Sequence, residues 1–234
     1  MCNSELIKFT TFDIIPQLEK ILSNQSYVKQ IVSANKIRDN KNVCIQDALD
    51  GQIYMAVEKK RDILNISLNI NSDGAPLIKS RNHSLWPVIG NILELDQSSR
   101  EKIDNLIISG IWLHNSKPTN KFFYKAFEKL KELLGKEITI KMNKIAFRCQ
   151  LGLFDLPAKA AIANIKQFNG KFGCPSCFHP GRREQRVQLY TIDKIYKLKN
   201  FEDYKYYSDL ANQLNVNITD EKKLDSVFGF LRTN

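Results

Sequence analysis

Ten residues, Leu64 to Asp73, constrain the fold of this chain more than any others. Leu64, Ile66, Leu68 and Ile70 alternate strictly with Asn65, Ser67, Asn69, Asn71 and Asp73. A helix would scatter these apolar positions around its circumference, whereas a strand places them all on one side, so the segment reads as a strand with one buried face. The residues NSDGAP then turn the chain. SLWPVIGNILEL is a second strand, and NLIISGIWLH, after the polar turn DQSSREK, is a third, which gives a meander. In TNKFFYKAFEKLKELLG the residues Phe122, Phe123, Ala126, Phe127, Leu130 and Leu134 form one helical stripe that stops at Gly135. EITIKMNKIAFRCQLGLF contributes at least one strand ending at Asp155, and LPAKAAIANIKQF a helix stopping before Asn169 and Gly170. Residues 1 to 60 read as helices, with apolar spacing in Phe12, Ile15, Leu18, Ile21 and Leu22 and again in Ile45, Leu49, Ile53 and Tyr54.

A chain of 234 residues can bury a substantial core. No apolar run approaches the roughly 20 residues of a membrane span, and the first residues, MCNSELIKF, lack the basic start and apolar stretch of a secretory signal. A soluble, intracellular protein without membrane partners is expected. Five cysteines, of which only Cys174 and Cys177 are close together, do not make a disulfide framework in a chain of this length. The net charge of +10 is concentrated: residues 141 to 200 hold twelve Lys and Arg against three Asp and Glu, an excess of +9. That concentration points to a polyanion contact, with a solvated basic face as the alternative.

Three strands, helix, strand, helix is the order of the first six elements of a ribonuclease-H-like α/β (α+β) fold, a mixed sheet with flanking helices. In that topology the first and fourth strands are adjacent and parallel, so Asp73 and Asp155, at their carboxyl ends, are expected to share one site. Two bare carboxylates about 4 Å apart repel by roughly 4 kcal/mol at an effective dielectric near 20, and a cation between them removes that cost. Magnesium or manganese fits, because it takes oxygen ligands and activates an attacking oxygen in phosphodiester chemistry. The structural alternatives are a turn role for Asp73, followed by Gly74, and a helix N-cap role for Asp155 before Leu156 and Pro157. Cys174-Pro-Ser-Cys177 reads as half of a zinc site, with a reduced, metal-free turn as the alternative; His179 is a candidate third ligand and Cys2, Cys44, Cys149, His83 and His114 are the remaining candidates. Arg182, Arg183, Arg186, Lys194, Lys197 and Lys199 follow as a basic tract able to neutralise DNA phosphates. Tyr190, Tyr196, Tyr204, Tyr206 and Tyr207 lie nearby, most of them expected to pack a helical hairpin and not to stack on bases.

Two ordered blocks resemble a known family. NSDGAPLIKSRNHSLWPVIGNILEL is similar to the first catalytic block of CACTA (En/Spm)-type DNA transposases, and FDLPAKAAIANIKQFNGKFGCPSCFHPG to the second, with SGIWLHNSKPTN matching between them. The resemblance covers residues 45 to 185 and implies that Asp73 and Asp155 are the first two acids of a DDE-type triad acting on double-stranded transposon ends in the nucleus. It implies a partial ribonuclease-H-like core over 61–169, preceded by a helical segment, 1–60, and followed by a cysteine knuckle and basic extension, 170–234. Homo-oligomers accompany such chemistry. The family's Asp-x-x-His is absent, and Glu202, Asp203, Asp209, Asp220, Glu221 and Asp225 are the acids available for the third position. Three readings therefore stand: a transposase core, an inactive derivative that binds DNA or protein, and a scaffold whose knuckle serves protein contacts.

Overall fold

The computed structural model describes residues 8–36, 45–78, 81–192 and 194–213. It is a mixed α/β protein with two compact units, Met1–Lys117 with Lys121–Leu153, and Pro118–Asn120 with Phe154–Asn234.

The first unit is built on a sheet. Strands β1 (Lys8–Thr11), β2 (Leu64–Ser72), β3 (Ala75–Ile78), β4 (Arg81–Ile92), β5 (Ile107–His114), β6 (Glu137–Ile140) and β7 (Asn143–Leu153) are joined in the order β1-β5-β4-β2-β7-β6, with β3 paired to β4. The expected meander is present as antiparallel β2, β4 and β5, and β7 runs parallel to β2. The sequence reading missed three edge features. β1 adds to β5 within the segment read as helical. β3 forms a hairpin with the start of β4, so the second strand begins at Arg81. The segment 137 to 153 is a hairpin, its turn made possible by Lys141 at φ 54°.

Helices α1 (Ile15–Leu22) and α2 (Gln25–Asn35) precede the sheet, and a short α3 (Gln52–Met55) follows a single 3-10 turn at Ala48–Asp50. The N-cap Asn24 accepts from Ser26 N–H, which starts α2. Helix α4 (Gln97–Arg100) bridges β4 and β5, and α5 (Asn120–Leu133) buries Phe122, Phe123, Ala126 and Leu130 of its stripe, whereas Phe127 is half-buried and Leu134, past the helix end, is exposed. Gly110 of β5 lets α5 approach closely: a Cβ there would lie 2.9 Å from that of Ala126.

β2 departs from the expected single buried face. Its first five residues are all buried, including Asn65 and the fully enclosed Ser67. The polar side is tolerated because it is hydrogen-bonded. Asn35 of α2 exchanges two bonds with the backbone of Asn65, at 2.9 and 2.6 Å. Ser67 N–H donates to Glu94 Oε2 at 2.8 Å, Tyr54 Oη–H donates to Glu94 Oε1 at 3.0 Å, and Arg148 Nε donates to Ser67 Oγ at 2.6 Å. The alternation identified the strand but could not show that Asn35, Glu94 and Arg148 enclose its polar side as well.

The second unit contains α6 (Leu156–Ile162), a hairpin of β8 (Arg182–Glu184) and β9 (Val187–Leu189), and α7 (Phe201–Gln213). Its core is Ala160, Ile165 and Ala211 with Phe178, Tyr204 and Tyr207 packed against them. Helix α6 ends well before the expected Phe168. Asn164 takes the left-handed conformation at φ 51°, and Ile165 N–H reaches back to Ala160 O at 3.0 Å, a Schellman stop with Asn in the glycine role.

Glu94 is 2% exposed, and burial holds its carboxyl above the ordinary carboxylate range despite the hydrogen bonds from Ser67 and Tyr54. Below the unfolded value near 4.5 both states carry the proton. As pH rises through the folded value, the folded state must ionise a buried group and stability is lost. Denaturant titrations across that range should show Glu94→Gln with a flatter pH dependence than the wild type; identical slopes would show that Glu94 is not the titrating group.

Candidate functional site

The register of β2 and β7 determines where their ends lie. From Leu64↔Ile145 to Leu68↔Cys149 the partners differ by 81 positions, and from Asn69↔Leu151 to Asn71↔Leu153 by 82, so Gln150 is the extra residue of a bulge. Asp73 and Asp155 also differ by 82 positions, and each stands two residues past the last paired residue of its strand. Without the bulge, Leu151 and Leu153 would sit one residue out of step with Asn69 and Asn71. Asn71 Nδ2 ties the ends together by donating to Leu153 O at 2.9 Å.

Asp73 is exposed, and one carboxylate oxygen accepts from Gly74 N–H at 2.7 Å. It does not shape a β2–β4 hairpin, because β3 intervenes. Gly74 instead lies flat against Trp86: a Cβ at 74 would come within 2.5 Å of the indole, whose Nε1–H donates to Ser84 Oγ at 3.1 Å. Trp86 and Trp112 are both buried core residues. Asp155 is the N-cap of α6 and accepts from Ala158 N–H at 2.6 Å. Each aspartate thus keeps one oxygen on a backbone N–H and leaves the other without a partner among the described residues, which suits a carboxylate that also takes part in binding a hydrated divalent cation.

Of the third-acid candidates, Asp203 is committed elsewhere. It forms a reciprocal capping box with Asn200 at the start of α7, with bonds of 3.0 and 2.8 Å, and an ion pair with Lys197 at 2.7 Å. Glu202 and Asp209 are exposed on α7, and Asp220, Glu221 and Asp225 lie outside the described residues. Among the described residues no three of His, Cys, Asp and Glu are grouped to hold a metal ion.

Cys174 and Cys177 face one another with sulfurs 3.4 Å apart, somewhat closer than the roughly 3.7 Å of a tetrahedral zinc dithiolate with 2.3 Å bonds. Burial opposes ionisation of Cys174, but the N–H groups of Ser176 and Cys177, the Cys177 thiol and the Lys199 charge outweigh it, and the thiol is held below its ordinary value. Burial pushes the Cys177 thiol up. Backbone N–H groups aimed at a Cys-x-x-Cys sulfur are what a knuckle needs to stabilise thiolates.

His179 serves the loop in this structure. It is 7% exposed, Nε2–H donates to Thr191 O at 2.9 Å, Nδ1 accepts from Gly181 N–H at 2.8 Å, and the ring packs between Tyr190 and Tyr196. With Nε2 donating and the Nδ1 lone pair accepting, neither ring nitrogen is free to ligate a metal in this structure. Cys2 and Cys44 lie outside the described residues, and Cys149 is exposed on β7. Tyr190 and Tyr204 donate to Gly170 O and Pro175 O, each at 2.7 Å, and so brace the knuckle; the helical hairpin expected for the tyrosines is instead the β8–β9 hairpin followed by α7.

No family model matches the chain, and no curated protein matches it.

The basic tract is less uniform than its sequence. Arg182, Arg183 and Arg186 are exposed on the β8–β9 hairpin, whose turn residues Gln185 and Arg186 both have positive φ. Arg182 pairs with Glu184 and Lys197 with Asp203. Arg183, Arg186 and Lys194 carry no ion pair among the described residues. Lys199 is half-buried, donates to Cys174 O at 2.8 Å and is held below its ordinary value by burial, so it belongs to the knuckle more than to the surface.

Because the indole leaves no room for a side chain at 74, Gly74→Ala should destabilise the protein by about 1–3 kcal/mol and shift the tryptophan emission, measured by denaturant titration and fluorescence. An unchanged stability and spectrum would mean that Trp86 does not seat the Asp73 turn.

Proposed function

We propose that this chain carries the two-aspartate part of a ribonuclease-H-like transposase core, binding double-stranded transposon ends in the nucleus. The observation that carries the reading is the parallel register of β2 and β7, in which the bulge at Gln150 gives Asp73 and Asp155 the same offset as the last paired residues. Magnesium or manganese held there supplies an activated oxygen and charge neutralisation at a phosphodiester. Asp73 and Asp155 each offer it one free carboxylate oxygen. Arg183, Arg186 and Lys194, with Arg182 through its exposed and therefore weak pair with Glu184, hold phosphates without reading bases. Cys174 and Cys177 supply two thiolates to a zinc that locks the knuckle.

A second reading, a DNA-binding derivative without chemistry, is favoured by one observation: Asp203 is engaged in a cap and an ion pair, and no third acid joins the pair among the described residues. No helix among the described residues is long and apolar enough to cross a membrane.

The two aspartates are tested by titrating manganese into the chain, where Asp73→Asn and Asp155→Asn should each abolish the same binding event. Retention in either variant defeats the shared site. For DNA, duplex affinity should fall with salt by a log–log slope of about 0.9 per neutralised phosphate, and replacing Arg182, Arg183 and Arg186 by Gln should flatten that slope while Asp73→Asn leaves affinity intact. The chain alone should not nick DNA; magnesium-dependent nicking lost in both aspartate variants would restore the full enzyme reading. Elemental analysis of chelator-free protein should find zinc, lost in Cys174→Ser with Cys177→Ser, and a zinc-free protein would leave the knuckle a bare turn.

A further inference from the structure

The strand ends opposite the aspartates present different chemistry. β2 begins at Leu64, nine residues before Asp73, so along the strand the two ends are about 30 Å apart. At the Leu64 end a cleft of about 670 Å³ opens between the end of α2, the loop before β2 and the β6–β7 turn. Five of its lining residues are Lys or Arg and only Asp62 is acidic.

Two of the five cations are already engaged. Lys59 donates to Ala34 O at 3.2 Å and lies over the Tyr54 ring, and Lys60 pairs with Glu137 at 2.6 Å. Lys36 and Arg61 are exposed and carry no ion pair among the described residues, and Lys144 forms none within 4 Å. The floor is rigid. Asn65 bonds twice to Asn35, donates to Lys60 O and Ile63 O, and accepts from Lys60 N–H, which fixes the 60–65 loop with Asp62 at φ 58°. A second, smaller cavity of about 170 Å³ shares Lys60 and Asn65 with the cleft and is lined by Arg148, whose Nη2 is buried without a hydrogen-bond partner. An unsatisfied buried guanidinium nitrogen beside a basic cleft is a donor lacking its acceptor.

We propose that this cleft binds a phosphate-bearing ligand, with Lys36, Arg61 and Lys144 contacting the phosphate oxygens over the fixed Asn65 floor. Its volume is in the range of small-ligand sites and accommodates a nucleotide. Phosphate is the chemistry favoured because planar guanidinium and mobile ammonium groups converge with hardly an acid among them. The same phosphate chemistry comes from a free nucleotide or from a nucleic-acid backbone crossing the cleft. The site needs nothing from the aspartates or the knuckle, so it stands or falls independently of the transposase reading.

The test titrates the full chain with inorganic pyrophosphate and, separately, with a DNA duplex, in the wild type, in Lys36→Gln with Arg61→Gln, and in the protein with Arg182, Arg183 and Arg186 replaced by Gln. Both substituted cleft residues are exposed, so folding should be unaffected. Pyrophosphate binding that weakens about tenfold or more in the cleft variant and is unchanged in the hairpin variant supports a free phosphate ligand. Duplex binding that weakens to that extent in the cleft variant, with pyrophosphate ineffective, supports a backbone contact. Binding of both probes that is the same in the cleft variant as in the wild type, or binding of neither probe, overturns the proposal.

Discussion

The parallel pairing of β2 with β7 is the contact on which the rest of the structure depends. It joins residues some eighty positions apart, with β4, β5, α5 and β6 between them, so its closure carries a large loop entropy cost. Its apolar half, Ile66 and Leu68 facing Phe147 and its neighbours, is enclosed in the core. Its polar half is held by Arg148 on Ser67, with Glu94 and Tyr54 completing the network. Loss of one member would leave a buried carboxylate or guanidinium without its partner, which costs far more than the net value of a single hydrogen bond.

One extra residue in β7 gives this pairing its consequence for the site. The bulge at Gln150 changes the offset by one, and in a strand one residue is the difference between two faces. Leu151 and Leu153, which follow the bulge, are 37% and 48% exposed, whereas Ile145 and Phe147 before it are buried. The two ends of the β2 and β7 strands thus differ in charge: carboxylates follow the carboxyl ends, and lysines and arginines surround the Leu64 end.

Much of the sheet was legible in the sequence because its signals are local. The alternation of Leu64 to Ile70, the stripe of Phe122 to Leu130 and the apolar runs of β4 and β5 each declare their element without tertiary information. What was not legible depends on contacts distant in sequence. Lys8–Thr11 has no strand pattern of its own and is a strand because β5 offers an open edge. The burial of Asn65 and Ser67 depends on Asn35, Glu94 and Arg148, which no spacing links to β2. Asn164 was a readable stop, since Asn tolerates positive φ, but the apolar spacing continues past it to Phe168 and masks it. Of the site, the aspartates and cysteines were visible as motifs, whereas the commitments of His179, Asp203 and Lys197 could be seen only once their partners were placed.

We propose that Asp73 and Asp155 take part in one metal site, a reading that rests on the parallel β2–β7 register and on the common spacing of the two aspartates beyond it. The most direct measurement is a crystal of the chain grown with manganese, with diffraction data collected at the manganese absorption edge. The account predicts an anomalous peak within bonding distance of a carboxylate oxygen, or of a bound water, of both Asp73 and Asp155. A peak held by one aspartate alone, or the two carboxylates turned to separate surfaces, would contradict it.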